Sequence, residues 1–216
     1  MLFGAPQLWV RAVLERHGGL RGDLNLSGGD LARRLLDGLG LHTVTVEAHD
    51  TLDHYDPEEL AVRLTPDKLH GHSLTALTVA AHEVGHAWQH KDGWRPFTVR
   101  QSLAREVAKF QRFGPAVLLL APIVFAVTRA PAATGVTLLL AFVFMGAPLA
   151  IHLLTLPVEL DASFRRALPL LEKGRVFRPG DMGAARELLG AAALTYVAQA
   201  GWSMLRVWTW VRLLRR

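Results

Sequence analysis

The residues most able to do chemistry lie in one short run, His82-Glu83-Val84-Gly85-His86. On a helix, histidines four residues apart project from one face with Cβ atoms about 5–6 Å apart, so both imidazoles reach one tetrahedral zinc ion. The glutamate between them lies beside the ion without binding it, and can take a proton from zinc-bound water and pass it to a leaving amine. The alternative interpretation is two surface histidines with an incidental glutamate.

Such a site needs a third protein ligand, and the same helix does not supply it. The metzincin pattern requires glycine and histidine at positions that Gln89 and Asp92 occupy here, which excludes that class. His90 lies about 12 Å from His82 along a straight helix, too far to share an ion with it. We expect His90 at the surface or beside a ligand.

Two acids that follow a long apolar stretch are the best candidates for the third ligand. A carboxylate beside such a stretch is costly unless something binds it. We predict Glu159 as the ligand and Asp161 as the alternative, with the other acid hydrogen-bonded to a histidine N–H. The competing interpretation is a helix-capping acid paired with Arg165 or Arg166.

The motif lies on a predicted helix from Leu74 to about His90. Ser73 is a capping residue at its start, and Gly93 and Pro96 end it. Trp88 and Trp94 are expected to be interface or core aromatics rather than groups that stack on a substrate.

An earlier helix and a small sheet precede this helix. Ser27 and Asp30 form a predicted capping box, leucines then recur at helical spacing, and Gly38 and Gly40 end the helix. Three short segments predict strands that form a small antiparallel sheet: Thr43–Glu47, Leu52–Tyr55 and Leu60–Leu64.

Four side chains near the sheet and before the motif helix are candidates for stabilising an oxyanion: His54, Tyr55, His70 and His72. The turn Asp56-Pro57 offers a plainer interpretation, in which His54 and Tyr55 are neighbours of a turn.

Two uncharged stretches, 113–128 and 130–158, are separated only by Arg129 and predict a transmembrane helical hairpin. The alternative is a buried hairpin of a soluble domain. A third apolar segment, Leu188–Leu205, either crosses the membrane or lies along its surface. Basic residues flank the hairpin on both sides, which places both flanks in the cytoplasm.

The composition further narrows the classes of protein to which this chain can belong. The 216 residues include no cysteine, which excludes disulfides, thiol catalysis and cysteine-based zinc or iron–sulfur sites. The net charge is +5, but no basic run is interleaved with aromatic residues, so we expect no nucleic-acid partner. Anionic lipid headgroups fit the arginines beside the apolar segments better. Met1–Leu14 lacks the pattern of a cleavable signal.

Three groups of motif residues carry a family signature: His82-Glu83-Val84-Gly85-His86-Ala87 with Gln89; Asp53-His54-Tyr55-Asp56-Pro57 with His70-Gly71 and Ser73; and Leu156-Pro157-Val158-Glu159 with Asp161-Ala162-Ser163. They resemble the YugP-type neutral zinc metallopeptidases, bacterial membrane proteins of the gluzincin kind. The resemblance runs from about Ser27 to the end of the third apolar segment. It implies one zinc ion, bound by His82, His86 and Glu159, with Glu83 as catalytic base.

These observations together predict one α+β domain, 1–216, mostly helical, with a gluzincin-like core, a small antiparallel sheet and membrane helices. Its parts are a catalytic part (1–112), a hairpin (113–158), a third-ligand helix with a cytoplasmic segment (159–187) and a third membrane helix (188–211). The predicted function is a multi-pass zinc endopeptidase of the cell membrane, with its active site on the cytoplasmic side. Its expected partners are the lipid bilayer and a peptide or membrane-protein substrate. The alternative is a non-catalytic, zinc-stabilised membrane scaffold.

Overall fold

The computed structural model describes residues 5–111 and 113–194. The chain is mostly helical with a small three-stranded sheet, as the sequence predicts. The described residues form two compact units, one within Met1–Thr98 and Leu156–Thr195 and the other within Val99–Thr155. All residues of the candidate site belong to the first unit.

The first unit opens with two helices, a sheet and a long helix. Their bounds are α1 (Ala5–Arg16), α2 (Gly28–Gly38), β1 (Thr45–Ala48), β2 (His54–Asp56), β3 (Ala61–Leu64), α3 (Pro66–Leu69) and α4 (Leu74–Lys91). The predicted start signals of α2 and α4 are confirmed. Ser27 and Asp30 form a reciprocal capping box, and the Ser73 hydroxyl accepts a hydrogen bond from the Ala76 N–H. Helix α2 packs its buried leucines against α4, which is itself buried over most of its length.

The sheet is mixed rather than antiparallel throughout, which corrects the prediction. Its strand order is β1-β3-β2: β3 pairs antiparallel with β2, as Tyr55 opposite Val62 shows, and parallel with β1. Three of the four residues of β3 are buried, whereas β1 is largely exposed. The most apolar strand therefore takes the centre, where both its edges are paired, and β1 joins it by the connection 49–60.

Three helices follow α4: α5 (Arg95–Gln111), α6 (Gly114–Thr128) and α7 (Pro131–Leu160). Helix α6 ends at Arg129, whose left-handed backbone (φ 52°) lets the chain turn into α7. Helices α6 and α7 cover the two uncharged stretches that were predicted as the arms of the hairpin. Among the residues that the structure describes, however, no helix combines the length and the apolar character that crossing a membrane requires.

The chain then returns to the first unit through an unusual segment. A π-helix covers Asp161–Ala167 and runs directly into α8 (Leu168–Lys173), and a last described helix, α9, covers 182–194. Helix α7 continues through Pro157 and does not end before it. Pro157 is exposed in the last turn of α7. Beyond residue 194, the predicted third membrane segment lies outside the described residues.

Candidate metal centre

The two histidines of the motif face each other on α4. The Nε2 atoms of His82 and His86 are 3.2 Å apart, and their rings meet edge to face at 82° with centroids 4.7 Å apart. Both side chains are buried. The helical spacing explains the pairing, because residues four apart lie one above the other on one helix face.

Glu159, from the end of α7, completes the group. Its Oε2 atom lies 3.1 Å from His82 Nε2 and 3.4 Å from His86 Nε2, and only 1% of the residue is exposed. Burial alone would raise the pKa of Glu159, but His86 and His82 together lower it below its usual value. An ionised carboxylate is therefore held against two imidazoles.

The donor set and its spacing fit a zinc ion. Two atoms bound to one tetrahedral zinc at about 2.0–2.1 Å are about 3.3 Å from each other, close to the three separations given above. The second carboxylate oxygen, Glu159 Oε1, is buried and has no hydrogen-bond partner in the described part of the chain. A cation between the three side chains would give that oxygen a partner. It would also offset the repulsion between the two imidazole nitrogens. Within the described residues, these three form the one such cluster of candidate ligands.

Each histidine has a partner behind it. His82 Nδ1 lies 3.1 Å from the hydroxyl of Ser163, which donates to the Leu189 carbonyl. His86 Nδ1 lies 3.0 Å from Gln89 Oε1. Because an amide oxygen only accepts, this contact favours the tautomer with the proton on His86 Nδ1, which leaves the Nε2 lone pair free. Such supporting hydrogen bonds are typical of metal-binding histidines.

Asp161, the alternative ligand, is not part of the cluster. Its carboxylate accepts hydrogen bonds from Gln89 Nε2 and Arg166 Nε. It thus reaches a histidine only through Gln89. The competing interpretation, an acid paired with Arg165 or Arg166, holds for Asp161, which pairs with Arg166, whereas Glu159 contacts the two histidines.

Gly85 lets the π-helix approach α4 closely. A Cβ atom at this position would lie 2.7 Å from the Ala162 carbonyl oxygen, well inside van der Waals contact. Glycine is therefore required here for space and not for an unusual backbone conformation. The close approach brings Ser163 to His82 and Asp161 to Gln89.

Glu83, between the two histidines, is buried beside the cluster. Burial raises the pKa of Glu83 to about 7, and the negative charge of Glu159 adds to this, while His82 acts in the opposite direction. The backbone N–H of Tyr55, on β2, faces the Glu83 carboxylate and slightly lowers its pKa. The sheet therefore meets the site at this strand.

The candidate oxyanion donors fall into two groups. Tyr55 is buried, and its hydroxyl lies 2.8 Å from His90 Nδ1, so His90 is a partner of Tyr55. Burial raises the pKa of Tyr55 to about 12, so its hydroxyl stays protonated at neutral pH. His54 is half-buried on the same strand and contacts His49 edge to face.

His70 and His72 lie elsewhere. Both precede α4, whose first residue is about 12 Å along the helix axis from His82. His70 is exposed after α3, and His72 Nδ1 lies 3.2 Å from the Leu24 carbonyl oxygen. The structure therefore does not bring these two histidines to the cluster.

From the sequence, two supporting residues, Gln89 and Ser163, had no predicted role, and Arg166 was considered only as the partner of a helix-capping acid. Gln89 could have been found, because its position three residues after His86 places it on the same helix face. Ser163 and Arg166 depend on the π-helix, for which the sequence carries no recognisable signal.

Fold and site together define a mostly helical protein with a candidate His-His-Glu metal centre, and comparison with known proteins identifies its family. A family described as "Putative neutral zinc metallopeptidase" matches residues 1–215. The chain is also 34% identical over 196 residues to the "Putative membrane protease YugP" of Bacillus subtilis (strain 168), covering 90% of this chain and 83% of that protein. No solved structure matches it significantly. The chain belongs to this family of neutral zinc metallopeptidases.

Proposed function

We propose that this chain is a zinc-dependent endopeptidase of the gluzincin type. In this proposal one zinc ion is held by His82, His86 and Glu159, and Glu83 is the general base. The observation that carries it is the convergence of three buried ligand atoms at zinc-like spacing, with a buried carboxylate beside them. The family and the name of the Bacillus relative support the same activity.

The residues of the site have distinct roles in this proposal. Bound zinc supplies Lewis-acid activation of water and of the scissile carbonyl. Glu83 accepts the proton of the attacking water and returns it to the nitrogen of the leaving amine. Burial around Glu83 acts to raise its pKa, the direction that brings a carboxylate closer to the working pH of a general base. The Tyr55 N–H faces that carboxylate, and Tyr55 and His54 remain the candidates for stabilising the oxyanion.

We further propose that the protein acts at a membrane, with the site on the cytoplasmic side. The support is the two uncharged stretches, 113–128 and 130–158, and the printed name of the Bacillus relative. Large apolar side chains on α6 are also exposed, including Leu119 at 73% and Val127 at 78%. A lipid bilayer would cover them. The substrate would then be a peptide or a membrane protein.

A single substitution tests the catalytic proposal. Glu83→Gln keeps the side-chain volume but cannot accept a proton, so cleavage of a peptide library should fall roughly 10²–10⁴-fold. Zinc content, measured by mass spectrometry, should stay at the wild-type level. Glu59→Gln, at an exposed turn position, is the matched control and should cleave normally.

Two outcomes would contradict the proposal. Undiminished cleavage by Glu83→Gln would remove this residue from the mechanism. A wild-type protein that holds zinc but cleaves no peptide in a broad library would favour the zinc-stabilised membrane scaffold.

A further inference from the structure

Behind His86 lies a chain of polar side chains, buried except at its last member, Asp92, that the proposed hydrolysis does not use. It runs from Gln89 through Asp161 and Arg166 to Asp92, and we refer to these four residues as the amide lock. All its contacts are short: Gln89 Nε2 to Asp161 Oδ2 is 2.9 Å, Arg166 Nε to Asp161 Oδ2 is 2.8 Å, and Arg166 Nη1 to Asp92 Oδ2 is 2.7 Å. Gln89 itself is completely buried.

The first step of the argument concerns the orientation of the Gln89 amide. Its Nε2 group faces two acceptors, the Val158 carbonyl at 2.8 Å and the Asp161 carboxylate. A flipped amide would place its oxygen against both acceptors and leave two buried repulsive contacts. The amide therefore has one orientation, and Oε1 always faces His86.

The second step concerns what holds Asp161. Asp161 and Arg166 are five residues apart, a separation that stacks side chains on a π-helix but turns them away from each other on an α-helix. Arg166 is buried, pairs with Asp161 and Asp92, and stacks over Trp88 at 5.0 Å from the ring centroid. Asp92 is the residue that caps the end of α4. The guanidinium thus ties the π-helix to the metal-binding helix.

We propose that the amide lock is a positioning device that sets the tautomer of His86. Gln89 accepts a hydrogen bond from the Nδ1–H of His86, and Asp161 prevents the amide from turning. Arg166 holds Asp161 against the end of α4. The result is a His86 ring whose Nε2 lone pair points at the cluster before any metal arrives. This inference rests on the proposed zinc site, but it makes a claim about the metal-free protein that does not depend on hydrolysis.

The experiment has a spectroscopic arm and an affinity arm. In metal-free, ¹⁵N-labelled protein, NMR should show His86 with its proton on Nδ1. Gln89→Leu should lose that preference and bind zinc about 10–100-fold more weakly in competition with a chelator. Gln101→Leu is the control, since Gln101 lies on α5 outside the lock and should change neither value.

A charge-conserving exchange separates positioning from general damage to the core. Gln89→Glu sets a carboxylate against Asp161 and should weaken zinc binding. The double variant Gln89→Glu with Asp161→Asn removes the repulsion between the two carboxylates but still sets an oxygen against the Val158 carbonyl, so it should recover only part of the lost affinity. This comparison also serves if Gln89→Leu fails to fold.

The inference would be overturned by wild-type zinc affinity and tautomer in Gln89→Leu. It would also be overturned if the double variant bound zinc no more tightly than Gln89→Glu alone. Because both readouts omit peptide cleavage, a failure here is distinct from a failure of the proposed endopeptidase activity.

Discussion

Glu159 carries the negative charge of the proposed metal centre, and within the described residues its carboxylate contacts the two motif imidazoles. Glu159→Ala should therefore lose zinc affinity by more than the 10–100-fold typical of a supporting residue. Glu159→Gln should also bind zinc weakly, because it keeps the volume but not the charge. Chelator competition measures both, with Glu59→Ala at an exposed position as control. Full stoichiometry and affinity in Glu159→Ala would assign the third ligand to another group.

At the residue scale, the sequence predicts the members of the cluster better than their support. The spacing of His82 and His86 is a local property of one helix, so the sequence alone predicts that they face each other. Glu159 is 73 residues from His86. It could be proposed only because an acid beside a long apolar stretch needs a partner. The order of hydrogen bonds through Gln89 to Arg166 depends on how two helices meet, and no single segment encodes it.

At the element scale, the contact between α4 and the π-helix is the feature most open to test. Gly85→Ala would set a methyl group 2.7 Å from the Ala162 carbonyl oxygen, so the π-helix would have to move. We expect a loss of about 1–3 kcal/mol in the free energy of unfolding, as for other overpacked sites, together with weaker zinc binding. Denaturant unfolding and chelator competition measure the two effects.

Gly190→Ala is the matched control for this substitution. Gly190 lies in α9, and its nearest neighbour to an added Cβ is Phe164 Cζ at 3.9 Å, an ordinary contact. Alanine there should stabilise the fold by about 0.5–1 kcal/mol, because glycine is the poorer helix former. A Gly85→Ala protein as stable as Gly190→Ala, with normal zinc affinity, would contradict the role given to Gly85.

The elements themselves were predictable to different degrees. Capping residues and periodic leucines predicted α2 and α4, since both signals are local. Strand pairing was predicted wrongly, because the order of strands depends on which one the core buries most, and three short segments do not reveal this. The π-helix was missed for a similar reason: it is stabilised by Asp161–Arg166 and the contact with Gly85, which are properties of the folded chain.

At the scale of the whole molecule, the proposed membrane topology can be tested with introduced cysteines, because the chain has none of its own. If both flanks of the hairpin are cytoplasmic, Ala132→Cys, near the turn between α6 and α7, should react with an impermeant thiol reagent in intact cells. Arg95→Cys and Lys173→Cys, both at exposed positions, should react only after lysis.

Labelling of the last two positions from outside would invert the proposed topology. Labelling of Arg95→Cys and Lys173→Cys on opposite sides would contradict the metal centre as well, because His86 and Glu159 must meet in one compartment. Equal labelling of all three positions before lysis would contradict the membrane proposal itself.

The central claim is that one zinc ion lies between His82, His86 and Glu159, and anomalous diffraction at the zinc absorption edge tests it most directly. Crystals of the zinc-loaded Glu83→Gln protein should show one strong anomalous peak about 2.0–2.2 Å from His82 Nε2, His86 Nε2 and a Glu159 oxygen. A peak bound to Asp161 or to other histidines, or no peak at the cluster in a zinc-saturated crystal, would contradict the account.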